Sequence, residues 1–403
     1  MQGEHGRSVP LEAAALIDVA QTRAGLTDFG DSEFTTPLSA LVASFRNDAW
    51  PLMSPQVREK AIEELVGLLV NRLKVTADRD RHPGIRKGSI ERPLIVVGPA
   101  RSGTSLLHTL LAQDPENRSV LYWHSADPSP PPGLAEPTRE RLGTAIATLT
   151  SLMAADSRIE VMHSYYAEEG VRATEECSSF MPMAFTTNRF WYFYPLPGYH
   201  DYLLTADHAA AMRFHRSFLQ HVQFPATTAR WALKSPDHMY WLRELADEYP
   251  EAGFVWTHRD LAQLSSSVTS STCLTRTLTG MLPATGRRAL GQDSMKVQRE
   301  ILDKGMRGRD AVGEDRFCDV SYHDVLADPV ETVRRIYRRF GRTLSESAAV
   351  AIRAWVDGNN QTKHGVHQHA PDDFGFDRDE INTQFAEYRD RFGFGYGVRR
   401  SFE

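Results

Sequence analysis

The stretch RPLIVVGPARSGTSLLHTLLAQDP, Arg92 to Pro115, constrains this chain more than any other. Its apolar, β-branched run Leu94 to Val97 reads as a strand buried in a parallel sheet. Gly98 and Gly103 let the backbone turn tightly and approach a ligand closely. Thr104 or Ser105 then opens a helix whose Leu106, Leu107, Leu110 and Leu111 recur at helical spacing. Unpaired amides at such a helix start, with the positive end of its dipole, attract anions. Arg101 adds a forked cation. The pattern predicts a loop for a phosphate or a similar dianion. It departs from the GxxxxGK[ST] loop of nucleotide hydrolases, because Thr104 stands where the lysine belongs.

A second stretch, Arg230 to Ser271, alternates strand (Trp231 to Lys234), helix (about His238 to Glu248), strand (Phe254 to His258) and helix (from about Leu261). That rhythm predicts an α/β fold with a parallel sheet. Arg259 falls at a strand's carboxyl end and Ser267 eight residues later, on the next helix. An arginine fork and a hydroxyl so placed can clamp a terminal phosphate. Lys234 ends its strand just before Pro236, where a fixed cation could stabilise developing negative charge.

PARSGTS and the Arg259/Ser267 pair together resemble the sulfotransferases that use 3′-phosphoadenosine-5′-phosphosulfate (PAPS) as donor. The likeness is greatest to the branch containing tyrosylprotein sulfotransferases and many bacterial relatives; the cytosolic branch has lysine at the position of Arg101. The resemblance implies that Arg101, Ser102, Gly103, Thr104 and Ser105 hold the 5′-phosphosulfate end. It gives the 3′-phosphate to Arg259 and Ser267, and charge neutralisation on the transferring group to Lys234. Leu106 replaces the adenine-stacking tryptophan of the cytosolic enzymes. Ser321 to Gly341 resembles a further family element that would bring Tyr322 close to adenine. KHGVHQHAPDDFGF resembles the segment that folds over the nucleotide, which implicates Lys363, His364 and Gly365.

An acceptor hydroxyl also needs a general base. The family places one after the first helix, on the next strand, and there YWHSADPSPPPG offers His124. A histidine titrates near neutral pH and suits the task. His163, Glu175 and Glu176 are rivals, since Thr174 to Phe180 (TEECSSF) resembles an element beside the acceptor pocket. The predicted catalytic set is therefore His124, Lys234, Arg101 and Glu176. His364, His367 and His369 lack a cysteine or carboxylate completing a zinc spacing, and sulfuryl transfer in this family needs no metal.

The 403 residues carry a formal charge of −6 with both signs interspersed, which argues against a nucleic-acid partner. Three scattered cysteines predict no disulfide framework and a reducing, cytoplasmic setting. No apolar run is long enough to span a bilayer. LEAAALIDVA, interrupted by Glu12 and Asp18, does not read as a signal peptide. The tyrosylprotein enzymes, by contrast, are membrane-anchored.

Residues 1–90 read as a helical N-terminal extension, with Ser54 and Pro55 starting one helix and a linker or exposed loop near Asp78 to Gly88. Residues 91–403 read as the α/β domain, its P-loop-like parallel sheet flanked by helices and interrupted by an acceptor-binding insertion at about 128–228. Within that insertion, Arg189 to Leu203 is dense in aromatic rings and serves either as core or as a wall for the acceptor. Thr275 to Asp310 reads as a polar lid or partner contact. The expectation is a sulfotransferase moving a sulfuryl group from PAPS to a hydroxyl of a small apolar or aromatic acceptor. Alternatives are a catalytically inactive donor-binding protein and, behind it, a kinase or nucleotide hydrolase. The acceptor's identity and the assembly of a homo-oligomer stay open.

Overall fold

The computed structural model describes residues 9–134, 136–282, 286–359, 368–395, 397–398 and 400–402. Six parallel strands form one sheet: β1 (Ser89–Ile90), β2 (Leu94–Val97), β3 (Asn117–Arg118), β4 (Thr228–Lys234), β5 (Gly253–His258) and β6 (Phe317–Ser321). Their order is β1-β4-β2-β5-β6, with β3 also paired to β4. In the centre, Val96 of β2 registers with Lys234 of β4 and Val255 of β5.

Every residue of β2 and β5 is buried, as central strands covered on both faces require. Alternate side chains feed separate cores. Ile95, Val97, Leu233 and Trp256 point into the larger core. The helices Ala13–Ala24, Thr35–Ser44 and Pro55–Arg81 add Leu16, Leu38, Leu41, Leu65 and Leu69 to it. Leu94, Val96, Ala232 and Val255 meet the helices Thr104–Ala112 and Pro329–Arg339 on the other side, through Leu107, Leu110, Leu111, Val333 and Ile336.

Several expectations need correcting. The segment near Asp78 to Gly88 is not a linker: the helix runs through Asp78 to Arg81, and Asp78 is buried against Arg81 at 3.0 Å. A 3-10 turn, Pro83–Lys87, then returns the chain to β1. The helix predicted from about His238 is split. Pro236–Tyr240 is a 3-10 turn, and an α-helix follows over Leu242–Glu248. Trp241 breaks the two with φ −140° while its indole N–H donates to His238 Nδ1 at 3.0 Å.

Nor is Thr275 to Asp310 a polar lid. It holds the end of the helix Leu261–Leu278 and most of Gly286–Val312, a 27-residue helix. Leu290, Met295, Ile301, Leu302 and Met306 of the long helix are buried at spacings of one face. Its many charged residues lie between them and hide that period. Arg189 to Leu203 resolves toward core: Phe190, Trp191, Tyr194, Leu196, Tyr199 and Leu203 are buried in the larger core.

Candidate active site

Four neighbouring strands deliver the site at their carboxyl ends, where open parallel sheets bind ligands. In sheet order, β4 ends on Lys234, β2 leads into Gly98 to Ser105, β5 ends before Arg259 and β6 ends before Tyr322. One edge of the sheet thus gathers residues far apart in sequence.

The loop is held by close contacts. Gly98 has φ 125°, and a Cβ there would lie 2.7 Å from the Thr257 carbonyl oxygen of β5. Gly103 has φ 96°, and its Cβ would lie 2.5 Å from the Tyr322 ring. Only glycine tolerates both demands. Arg101 adopts φ 69°, so the loop also bends at a residue that seldom takes that conformation. Ser102 is used in closing the loop: its hydroxyl donates to the Pro99 carbonyl at 2.6 Å and lies 2.6 Å from Thr257 Oγ1. Its amide bonds the same carbonyl. The helix starts at Thr104, and its first internal bond runs from the Leu107 N–H to the Gly103 carbonyl. The amides of Thr104, Ser105 and Leu106 are therefore the orphan donors of this helix end.

Two arginines flank those donors. Arg101 Nε donates to Ser267 Oγ at 3.1 Å, and Arg259 Nη1 donates to the Arg101 carbonyl at 3.0 Å. Arg259 also stacks on Tyr322, 4.5 Å from the ring centroid. Burial, then the charge of Arg259, lowers the pKa of Arg101. Two guanidinium groups that repel each other beside orphan amides make a cradle for an anion.

Across the loop, Lys234 is buried; its ammonium donates to Ser105 Oγ at 3.1 Å and pairs with the Glu176 carboxylate. Glu176 also accepts from the Ser178 hydroxyl. Burial alone would raise Glu176, but the charge and hydrogen bond of Lys234, together with Ser178, hold its carboxyl below the usual value. Glu175 lies one layer out. It accepts from the Glu176 amide at 2.9 Å and from the Tyr166 hydroxyl. Burial, then the Glu176 charge, raises its pKa.

The four candidate bases are not equivalent. Glu176 contacts Lys234 directly. His163 feels Arg101, Glu176 and Lys234, and bonds Tyr165 through Nδ1 at 2.9 Å; burial, then Arg101, pushes it down to about 4. His124 lies on a short helix, Tyr122–Ala126, rather than on a strand. Its Nδ1 accepts the Leu121 N–H at 3.0 Å, and the charges acting on it are those of Arg118, Arg141, His221 and Arg172. Burial, then Arg118, lowers it to about 3. The structure brings Glu176 and His163 to the loop and turns His124 toward a different set of neighbours.

Tyr165 and Tyr166 escaped the sequence reading. Their rings are 4.5 Å apart, His163 lies 5.7 Å from Tyr166, and Tyr122 meets Tyr166 edge-on at 5.5 Å. The HSYY run could have flagged this ring cluster, but nothing in it marks nearness to Glu175. Lys363, His364, Gly365 and His367 lie outside the described residues. His369 is placed, with Nδ1 2.8 Å from Ser266 Oγ, beside Ser267 on the same helix.

Residues 93–346 match the model of the sulfotransferase family. The chain belongs to that family. A sulfotransferase named Stf3 from Mycobacterium bovis, which acts on omega-hydroxy-beta-dihydromenaquinone-9, is 23% identical over 310 residues, 75% of each chain. Among solved structures, the sulfotransferase STF9 from Mycobacterium avium superposes with a TM-score of 0.83 at 25% identity. That match covers 99% of this chain and 100% of the other. STF1 from Mycobacterium tuberculosis gives 0.78 at 26% identity, covering 93% and 98%. The sequence-derived fold and enzyme class therefore stand: this is a sulfotransferase with a parallel α/β sheet. No described helix is long and apolar enough to cross a membrane.

Proposed function

We propose that this sulfotransferase takes its sulfuryl group from PAPS and gives it to a hydroxyl of an apolar or aromatic acceptor. The observation that carries this reading is the Lys234 ammonium, shared between Ser105 at the anion loop and the Glu176 carboxylate. It puts a cation and a base side by side at the mouth of a loop built for a dianion.

The fit to the donor rests on the orphan amides of Thr104 to Leu106, the glycine-lined loop and the paired arginines. In this assignment the loop amides, Ser105 and Arg101 hold the 5′ end, while Arg259 and Ser267 hold the 3′-phosphate. Tyr322, stacked on Arg259 and packed on Gly103, lines the nucleotide side. Bound PAPS supplies an activated sulfuryl group. Lys234 neutralises negative charge beside the loop, a role for which preorganised cations are effective. As the ammonium turns to that charge, Glu176 loses its partner, becomes more basic, and takes the proton of the acceptor hydroxyl. Glu175 orients Glu176 through its amide. His124 is not assigned a part in proton transfer.

The ring cluster of Tyr122, His163, Tyr165 and Tyr166 supports an acceptor with apolar or aromatic surface. It falls within the acceptor-binding insertion proposed at about 128–228, apart from Tyr122 just ahead of it. The name of Stf3 describes a hydroxylated lipid quinone as the substrate of that relative, in keeping with this class. Incubation with PAPS and a panel of phenols, sterols and polyprenyl alcohols, read by mass spectrometry, tests the proposal. A sulfated product from at least one member is expected. Binding of the donor with no product from any member would favour an inactive donor-binding protein.

A further inference from the structure

Behind the Lys234–Glu176 pair lies a second cluster that sulfuryl transfer does not use. Cys177, His215 and His238 each offer a ligating atom within 4.8 Å of the other two, and all three side chains are buried. They come from separate elements: the turn Cys177–Ser179, the helix Ala209–Gln223 and the turn Pro236–Tyr240. Nε2 of His215 and Nε2 of His238 have no hydrogen-bond partner. Buried polar atoms without partners are costly, and two imidazoles gathered with a thiol form a donor set for a soft metal ion.

The outer hydrogen bonds distinguish the two imidazoles. Trp241 Nε1–H donates to His238 Nδ1 at 3.0 Å, so the proton of neutral His238 resides on Nε2. That nitrogen is a donor and not a ligand. His215 Nδ1 lies 2.7 Å from the Tyr249 hydroxyl; with Nδ1–H donating there, Nε2 presents a lone pair. Burial raises the pKa of the Cys177 thiol, and a backbone hydrogen bond from Lys234 opposes that only in part, so the bound metal itself has to displace the thiol proton.

We propose that Cys177 Sγ and His215 Nε2 bind one Cu⁺ ion between them, with His238 Nε2–H hydrogen-bonded to the thiolate. Metal bonds of roughly 2.0–2.3 Å to nitrogen and sulfur, set in line, span roughly 4 Å between the donors, within the observed spacing. Charge decides the metal. Cu⁺ and one thiolate sum to zero, so the buried site carries no net charge, whereas Zn²⁺ would leave a positive charge and lack its usual four ligands. Loading forms the Cu–S and Cu–N bonds, breaks the S–H bond and releases one proton to solvent, with no change of oxidation state. The site does not depend on the identity of the sulfuryl donor or acceptor.

Anaerobic titration of the intact 403-residue chain with Cu⁺ held by a colorimetric Cu⁺ chelator tests this. One equivalent of Cu⁺ should pass to the protein. Cys177→Ala and His215→Gln should each weaken retention by at least about 100-fold, and His238→Gln by about 10-fold. Replacing Cys273 and Cys318, both buried elsewhere, should change nothing. X-ray absorption of the loaded wild type, which needs no variant to fold, should show one sulfur and one nitrogen neighbour. Failure to withdraw Cu⁺ from the chelator, retention that follows Cys273 or Cys318, or sulfur-only coordination would each overturn the proposal.

Discussion

Lys234 and Glu176 form an ion pair at the carboxyl end of β4, and the same ammonium donates to Ser105 in the anion loop. The pair ties the base to the cation that the transferring group needs, so the two residues should fail differently when removed. Glu176→Gln should lower kcat by about 10²–10⁴ through loss of general-base action. Lys234→Ala should lower it by about 10²–10³ and leave nucleotide affinity largely intact. His124→Gln should stay within about threefold of wild type. Single-turnover rates check all three, and a His124 variant as impaired as Glu176→Gln would move the base assignment to the histidine.

Arg259→Ala should act on binding. A charge-assisted hydrogen bond contributes about 1.5–3 kcal/mol, so affinity for 3′,5′-adenosine bisphosphate should drop by about 10–100-fold. Affinity for 5′-AMP, which lacks the 3′-phosphate, should change little. Equal losses for the two nucleotides would remove Arg259 from the 3′-phosphate site.

Gly103→Ala should damage both fold and loop. Its backbone has φ 96°, and the new methyl would meet the Tyr322 ring at 2.5 Å. The strain costs on the order of 1–3 kcal/mol, with Tm falling by several degrees. Nucleotide binding should weaken alongside. An unchanged Tm measured by calorimetry would show that the loop and Tyr322 separate more easily than this packing indicates.

Asp237 gives a pH-dependent stability. It is buried, and accepts from the Thr187 hydroxyl at 2.7 Å and the Asn188 N–H at 2.8 Å. Burial outweighs those bonds and pushes its pKa up to about 6 from 3.8. The folded value exceeds the unfolded one, so the folded chain binds the proton more tightly. Its stabilising contribution is present below pH 4 and is lost as pH rises through about 6. Asp237→Asn keeps an acceptor and removes the charge. It should raise stability at pH 8 by on the order of 1–3 kcal/mol and leave it nearly unchanged at pH 4. Thermal melts at the two values check the sign, and the same change in Tm at both would contradict it.

The parts of the site legible in the sequence are those encoded by short, continuous patterns. Leu94 to Leu111 spells strand, turn and helix within one stretch, and Arg259 after β5 stands only eight residues before Ser267 on the helix that follows. The base was ambiguous because its position depends on pairing between distant segments. Leu121 bridges Thr174, the Glu175 amide bonds the Val120 carbonyl at 2.7 Å, and the Tyr122 amide bonds Ala173. That short antiparallel contact carries Glu175 and Glu176 to the end of β4, while His124, two residues beyond Tyr122, engages the Leu121 amide instead. No local pattern reports such a pairing. The helix Gly286–Val312 was missed for a different reason: glycines and charged residues between Leu290 and Met306 obscure an apolar face that the fold covers.

The central claim, a donor site selective for a 3′-phosphorylated adenosine nucleotide, is tested most directly by calorimetric titration with 3′,5′-adenosine bisphosphate, 5′-AMP and ATP. The account predicts one site per chain, with the bisphosphate bound at least about 10-fold more tightly than 5′-AMP. Equal affinity for the two, or tighter binding of ATP, would contradict it.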